Sequence, residues 1–331
     1  MTELTNWRPP TIALVADEFT RYSLEPDAKL INLTPVNWRW KLRLYRPDYL
    51  LVESAWRGYR DTWRGKIAYY SDRKKDGELE KLVQHCRNID VPTIFWNKED
   101  PFHFQRFVET AQLFDMVYTT DANSISKYEA LPQHRIKKIG LMMFAAQPVH
   151  YQRGEGRASR PLAFMGGYYG QELNERSLQQ DEILGRLADV PLVIYDRFWG
   201  QGQQSSYPES LQHICLPAIS NKLVPEICHQ YNVHLNFNTV QDSPTMLSRR
   251  VFELACAGCV IISTPSHAMQ QIFGDNIAVV TDGQTAYDQY LSLTSDPARQ
   301  HQMREQVRRI VLSEHTWQHR LKRIHHDLCA L

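Results

Sequence analysis

The chain has 331 residues, about twice the roughly 150 expected of one domain, with 43% hydrophobic and 23% charged residues. Its 38 Lys and Arg against 37 Asp and Glu leave a formal charge of +1, which argues against a dedicated duplex nucleic-acid binder and an acidic disordered activator. The longest apolar runs, 12–16 and 141–146, fall short of the roughly 18 residues a membrane span needs, and the first residues lack the basic-then-apolar order of a secretory signal, so two domains and a cytoplasmic setting are expected.

Short apolar runs bounded by turn residues predict strands at 11–16, 49–52, 92–96, 116–119 and 139–144 in the first half. In the second half they fall at 161–165, 191–195, 233–237, 259–262 and 277–280. Near-continuous apolar strands suit a parallel sheet covered on both faces. Between them, Leu79, Leu82, Val83, Cys86 and Ile89 recur at helical spacing, and Leu178, Ile183, Leu184 and Leu187 do so less regularly. Alternating strands and helices give an α/β class.

The polar, glycine-containing stretch 151–160 reads as a linker. The expected organisation is an N-terminal domain at 1–152, a second domain at 160–297, and terminal helices at 298–331 packing back toward the first domain. Met303, Val307, Ile310, Trp317, Leu321, Ile324 and Leu328 mark the buried stripe of those helices. Glu314 interrupts the stripe and Ser313 can cap a new helix, so a kinked pair at 298–312 and 314–329 is expected.

No Rossmann fingerprint or P-loop is present: Gly154-Glu-Gly156 lacks its third glycine and precedes a strand. Six cysteines include one CxxC, Cys256 to Cys259. A zinc site would need a second ligand pair, and a redox pair would open a helix after a strand. Here a helix ends and a strand begins, so buried small-residue packing is expected.

The segment Ser248-Arg-Arg-Val-Phe-Glu-Leu-Ala-Cys-Ala-Gly-Cys-Val-Ile-Ile-Ser263 is the most informative. It predicts a helix running into a buried strand, entered through 242–245. Arg250 and Glu253 share a helix face. A cation near a helix start suits a bound pyrophosphate, and a carboxylate one turn on can accept from a ribose diol; an ordinary surface ion pair has the same spacing.

From Arg250 to Ser263 this pattern resembles the nucleotide-sugar end of GT-B glycosyltransferases, in particular the CgeB-like branch related to family 4 retaining enzymes. The N-terminal half supports the resemblance through Pro47-Asp-Tyr-Leu-Leu-Val-Glu-Ser-Ala-Trp56 and Val91-Pro-Thr-Ile-Phe-Trp-Asn-Lys-Glu-Asp-Pro101, then Phe107, Ala111, Phe114-Asp115, Thr119-Thr-Asp121 and Tyr128. It implies two Rossmann-like domains facing each other across a cleft. It also implies a hexosyltransferase-type enzyme moving a sugar from a UDP- or dTDP-sugar to an acceptor glycan, protein or small molecule, with retention and with no cofactor.

The resemblance gives Glu253 the donor ribose, Arg250 and Arg249 the diphosphate, and Ser248 the entrance of the donor helix. Gly166 and Gly167, leading toward Arg176, would let backbone approach the donor, although an ordinary turn uses the same residues. One departure stands out: where family 4 enzymes carry a second glutamate eight residues before the ribose glutamate, this chain has Thr245. A non-catalytic nucleotide-sugar-binding or structural protein with the same fold is therefore the alternative.

On the N-terminal side, Glu53 closes a strand and Glu99, Asp100 and His103 follow another, the places where ligands meet parallel sheets. They are the candidate catalytic groups for handling the acceptor proton; Glu99 and Asp100 could equally cap a helix beside Pro101. The absence of an Asp-x-Asp motif points to arginine and the helix dipole for leaving-group charge, with no metal site. Trp56, Arg57 and Trp96 are the candidate acceptor contacts. The stretch Trp56 to Lys66 interleaves aromatics with cations, which serves an acceptor surface, core packing or, least readily, nucleic acid. Partners are thus a nucleotide sugar and its acceptor, no nucleic acid, with peripheral membrane contact left open.

Overall fold

The computed structural model describes residues 7–69, 76–132, 135–154, 160–201 and 206–331. It divides into unit 1 (Met1–Phe144, Pro244–Met246 and Trp317–Leu331) and unit 2 (Ala145–Ser243 and Leu247–Thr316). Among the described residues, each unit carries one parallel six-stranded sheet.

In unit 1 the strands are β1 Thr11–Val15, β2 Lys29–Asn32, β3 Tyr49–Glu53, β4 Thr93–Asn97, β5 Met116–Thr119 and β6 Lys138–Leu141, in the order β2-β1-β3-β4-β5-β6. Every residue of β3 and β4 is buried, as expected of strands covered on both faces. Leu79, Leu82, Val83 and Cys86 of helix Glu78–Asn88 join Val52, Phe95 and Val117 in one core. Ile89 lies beyond that helix and is exposed.

In unit 2 the strands are β7 Arg160–Gly166, β8 Leu192–Asp196, β9 Cys215–Pro217, β10 Tyr231–Asn236, β11 Val260–Ser263 and β12 Ala278–Val279, in the order β12-β11-β10-β7-β8-β9. Helix Asn174–Leu187 buries Ile183, Leu184 and Leu187 against Leu162, Phe164 and Ile194. Leu178, expected on that stripe, is exposed; Ser177 and Gln180 take the inward positions.

The chain reverses direction across each sheet. In unit 1 it moves from β1 to β2 on one side and returns to β3 on the other. In unit 2 it moves from β7 through β8 to β9, then returns to β10 beside β7. In open α/β sheets the crevice for a ligand opens at such a switch, outside the carboxyl ends of the strands. The two crevices are therefore placed beyond β1 and β3, and beyond β7 and β10.

Several boundaries differ from expectation. Unit 1 gives way to unit 2 at Phe144, and Tyr151 is already buried within unit 2, so the expected linker starts too late; its residues 155–159 lie outside the described set. The terminal helices are Pro297–Glu314 and Trp317–Cys329. The first belongs to unit 2 and only the second to unit 1. The break falls at His315 and Thr316, not at Ser313, whose hydroxyl bonds back to Ile310 O inside the first helix. The cause is pairing: Ala146 N donates to His315 O at 2.9 Å and bridges to Thr316.

Both thiols of the CxxC are buried, facing backbone carbonyls of Tyr151 and Cys228; burial pushes the Cys256 thiol up to about 12. No described helix is long and apolar enough to cross a membrane.

Candidate functional site

Helix Arg249–Cys256 follows β10 and buries Val251, Phe252, Leu254 and Ala255. Gly258 ends it at a φ of +72°, where Gly258 N returns to Ala255 O and Cys259 N to Leu254 O, a Schellman closure that favours glycine. The inward faces of this helix fix the outlook of its polar residues. Glu253 is only 2% exposed and lies under two guanidiniums, with Arg249 Nη1 at 2.9 Å from Oε1 and Arg250 Nη1 at 2.8 Å from Oε2. The arginine side chains retain 19% and 18% exposure, so they form the outer layer of the triad. A carboxylate has about four acceptor positions; two remain.

Burial holds the Arg249 guanidinium below its usual range, Glu253 working the other way and Arg250 and Arg197 reinforcing burial. Burial opposes ionisation of Arg250 too, but Glu253 and then Tyr151 outweigh it and raise the value. Arg197, directly after β8, is exposed and acts electrostatically on both Arg249 and Arg176. Arg176, in the first turn of helix Asn174–Leu187, is lowered by burial and stands 4.9 Å from the Tyr169 ring centroid. Four guanidiniums are thus gathered at the carboxyl ends of β7, β8 and β10, where they outnumber the buried carboxylates of Glu253 and of Asp196, the last residue of β8.

Among the described residues, Arg176 Nε, Ser177 Oγ, Gln180 Oε1 and Asp181 Oδ1 are buried without a hydrogen-bond partner. All four sit in the first two turns of the helix that follows Gly166 and Gly167. Buried polar atoms without partners are costly; Arg176 Nε and Ser177 Oγ can donate to an anion at this helix start, whereas Gln180 Oε1 and Asp181 Oδ1 are acceptors and call for a donor such as a hydroxyl. The glycines themselves are used internally. A Cβ at Gly166 would meet the Phe164 ring at 2.3 Å, and one at Gly167 the Phe198 ring at 2.5 Å, so aromatic packing requires glycine at both positions.

Ser248 stands at the N-cap of helix Arg249–Cys256 without a side-chain cap bond. Thr245 is separated from this group: it belongs to unit 1. There its Oγ1 accepts from Ala122 N at 2.8 Å and donates to Thr120 O at 3.0 Å.

At the switch of unit 1, Glu53 is fully buried. Its oxygens accept from Asp17 N and Thr20 Oγ1, both at 2.6 Å, and Lys98 Nζ lies 3.2 Å from Oε1. The same ammonium is 3.2 Å from Asp17 and 4.0 Å from Glu99, above the Phe19 ring. Burial pushes the Glu53 carboxyl up to about 7, Lys98 working against this and Asp17 adding to it. Lys98 is raised: burial opposes its charge, but Glu53, Asp17 and Glu99 prevail. Asp17 is lowered, because Lys98 and the amides of Gly58 and Arg57 outweigh the larger single effect of burial. Asp17 and Lys98 complete this network and Arg197 the other. Sequence spacing missed all three: they belong to loops after β1, β4 and β8, which only the sheet order brings to a switch.

The remaining candidates divide. Asp100 is fully buried, accepting from Asn97 Nδ2 at 2.7 Å, Thr119 Oγ1 at 2.7 Å and Tyr128 Oη at 2.9 Å. It ties β4 to β5 and to helix Ile125–Glu129, and neither it nor Glu99 caps helix Phe104–Ala111, whose N-cap is His103. The His103 ring packs edge-on against Trp56 at 5.0 Å, and Trp56 against Phe107 at 5.2 Å. Arg57 is exposed, 3.7 Å from Asp61. Trp96 corrects the expectation of an acceptor contact: it is fully buried, donates to Met142 O at 2.9 Å, and packs on Phe144 and Trp317. Trp63 is also in the core.

A family model described as Glycosyl transferase-like matches residues 180–326, which include the Glu253 triad. A search of curated proteins gave no match. Among solved structures, sucrose-phosphate synthase from Thermosynechococcus elongatus is similar over 88% of this chain and 76% of its own, at a TM-score of 0.54 and 12% identity. A mutant of T4 phage BGT in complex with UDP-glucose is similar over 87% and 82%, with a TM-score of 0.55 and 11% identity. TarM from S. aureus, in complex with UDP among other ligands, covers 84% and 55%, with a TM-score of 0.51 and 8% identity. Identities this low show the fold: two Rossmann-like α/β domains of the GT-B kind.

Proposed function

We propose that the chain is a glycosyltransferase of the CgeB-like branch that takes a sugar from a nucleoside diphosphate, with a UDP- or dTDP-sugar as donor. The observation that carries this reading is the gathering of Arg176, Arg197, Arg249 and Arg250 at the switch of unit 2, with Glu253 buried beneath two of them. A diphosphate brings counter-charge to these guanidiniums, and Arg176 Nε and Ser177 Oγ, the two unpartnered donors at the start of helix Asn174–Leu187, can bind its oxygens. Glu253 fixes both guanidiniums and keeps lone pairs for ribose hydroxyls.

As the sugar leaves, negative charge grows on the diphosphate, and preorganised cations stabilise it without reorganisation. No metal is needed in this step. The acceptor belongs to unit 1, near Trp56, His103 and Glu99; Glu53 is too enclosed to touch it and instead holds Lys98. Retention of configuration and a cytoplasmic setting are part of the proposal.

Titration calorimetry with UDP, dTDP and other nucleoside diphosphates tests it. Binding of one of them, weakened at least tenfold in Arg250→Ala, is expected; absence of binding across the panel overturns the assignment. Thr245, engaged with backbone in place of the donor-sugar glutamate, favours one alternative, a nucleotide-sugar-binding protein without transfer. Slow release of nucleoside diphosphate from the cognate donor separates the two, because only a catalyst releases it.

A further inference from the structure

Helix Trp38–Leu44 in unit 1 turns Trp38 and Leu42 into the core. The opposite face of such a helix is ordinarily polar. Here it carries Trp40, 54% exposed, and Leu44, 65% exposed, and the turn leading into it adds Val36, 89% exposed. The three follow one another at a spacing of four. Tyr45, just past the helix, is exposed as well. A helix apolar on both faces needs a second apolar surrounding.

The charges carried by this stretch of sequence are of one sign. From Lys29 to Arg46 the sequence holds five cations, Lys29, Arg39, Lys41, Arg43 and Arg46, and no Asp or Glu, in a chain whose total formal charge is +1. Arg43 and Arg46 are fully at the surface, next to Leu44 and Tyr45. Arg39 pairs with Glu78, and Lys41 donates to Asn32 O, which holds the two flanks in place. Tryptophan and tyrosine with an apolar body and a polar tip suit a boundary between water and hydrocarbon.

We infer that this face docks on an anionic lipid surface, with Val36, Trp40 and Leu44 entering the headgroup boundary and Arg43, Arg46 and Lys29 meeting lipid phosphates. A second copy of the chain is disfavoured by the same charges. A symmetric contact sets each residue against its own counterpart region, which would bring Arg43 and Arg46 of both copies together. The inference concerns a surface apart from the donor site and does not rest on the transferase reading.

Co-sedimentation with phosphatidylcholine vesicles, with and without phosphatidylglycerol, tests it. The intact protein is expected to pellet only with the phosphatidylglycerol vesicles, and less so as salt is raised. Trp40→Glu should lower partitioning roughly tenfold or more, and Arg43→Ala with Arg46→Ala roughly fivefold per cation removed. All three positions are exposed, so an unchanged thermal midpoint confirms that each variant folds. No binding to the anionic vesicles overturns the inference, as does equal binding by both variants. Concentration-dependent self-association that Trp40→Glu abolishes, without vesicle binding, assigns the face to a second copy instead.

Discussion

Arg250 Nη1 donates to Glu253 Oε2 at 2.8 Å, one turn apart on a helix that opens at the sheet switch of unit 2. With Arg249 on the other oxygen, the carboxylate is bracketed and both guanidiniums are held in fixed directions. Arg249→Ala should therefore leave Glu253 with one partner. Nucleoside diphosphate affinity, read by calorimetry, should fall about tenfold or more, the size of a lost charge-assisted bond. An affinity within twofold of the parent would place the phosphates elsewhere.

Lys98 serves three carboxylates, Glu53, Asp17 and Glu99. Replacing it with methionine leaves Glu53 buried and Asp17 half-buried without their cation, a change that costs about 3–5 kcal/mol. Urea unfolding should show that loss, and adding Glu53→Gln should restore part of it. Additive losses in the double variant would mean that the two side chains do not act together.

Asp100 carries a pH signature. Burial pushes its carboxyl up to about 7 from the ordinary 3.8, while the Thr119 and Tyr128 hydrogen bonds oppose the shift. Between those values the folded chain holds a proton that the unfolded chain has lost. Its stabilising contribution is therefore complete below 3.8 and is lost as pH rises to about 7. One proton gives at most about 1.4 kcal/mol per pH unit. Asp100→Asn, which cannot ionise, should remove that slope from unfolding free energies measured across the window. A parallel pH dependence in parent and variant would contradict the assignment.

Trp96 should behave as a core residue. Trp96→Ala is expected to cost about 3–5 kcal/mol of stability, measured by thermal or urea unfolding. A fully stable Trp96→Ala protein would reopen the acceptor role that burial excludes.

Much of the architecture was legible. The ten runs expected as strands correspond to the ten strands other than β2 and β9. Those two are sheet edges, and their sequences, Lys-Leu-Ile-Asn and Cys-Leu-Pro, lack the continuous apolar run that double coverage imposes on a central strand. Helical spacing put Arg250 and Glu253 on one face, and the two are paired there at 2.8 Å. Spacing could not show that Trp96 points inward beside Trp317, since every residue of β4 is buried and the alternation that separates two faces is absent. Nor could it show Lys98 against Glu53 and Asp17, because sheet order, not chain distance, joins those loops. Nor could spacing show that Phe164 and Phe198 stand where a Cβ at Gly166 or Gly167 would go.

The central claim, donor chemistry at the Glu253 triad, is tested most directly by turnover. Release of nucleoside diphosphate from UDP- and dTDP-sugars should be followed for the parent and for Glu253→Ala at matched, folded concentrations. The account predicts release by the parent from one donor and a rate lower by at least tenfold in the variant, because ribose contact and arginine alignment are lost together. Equal rates in parent and Glu253→Ala would contradict it.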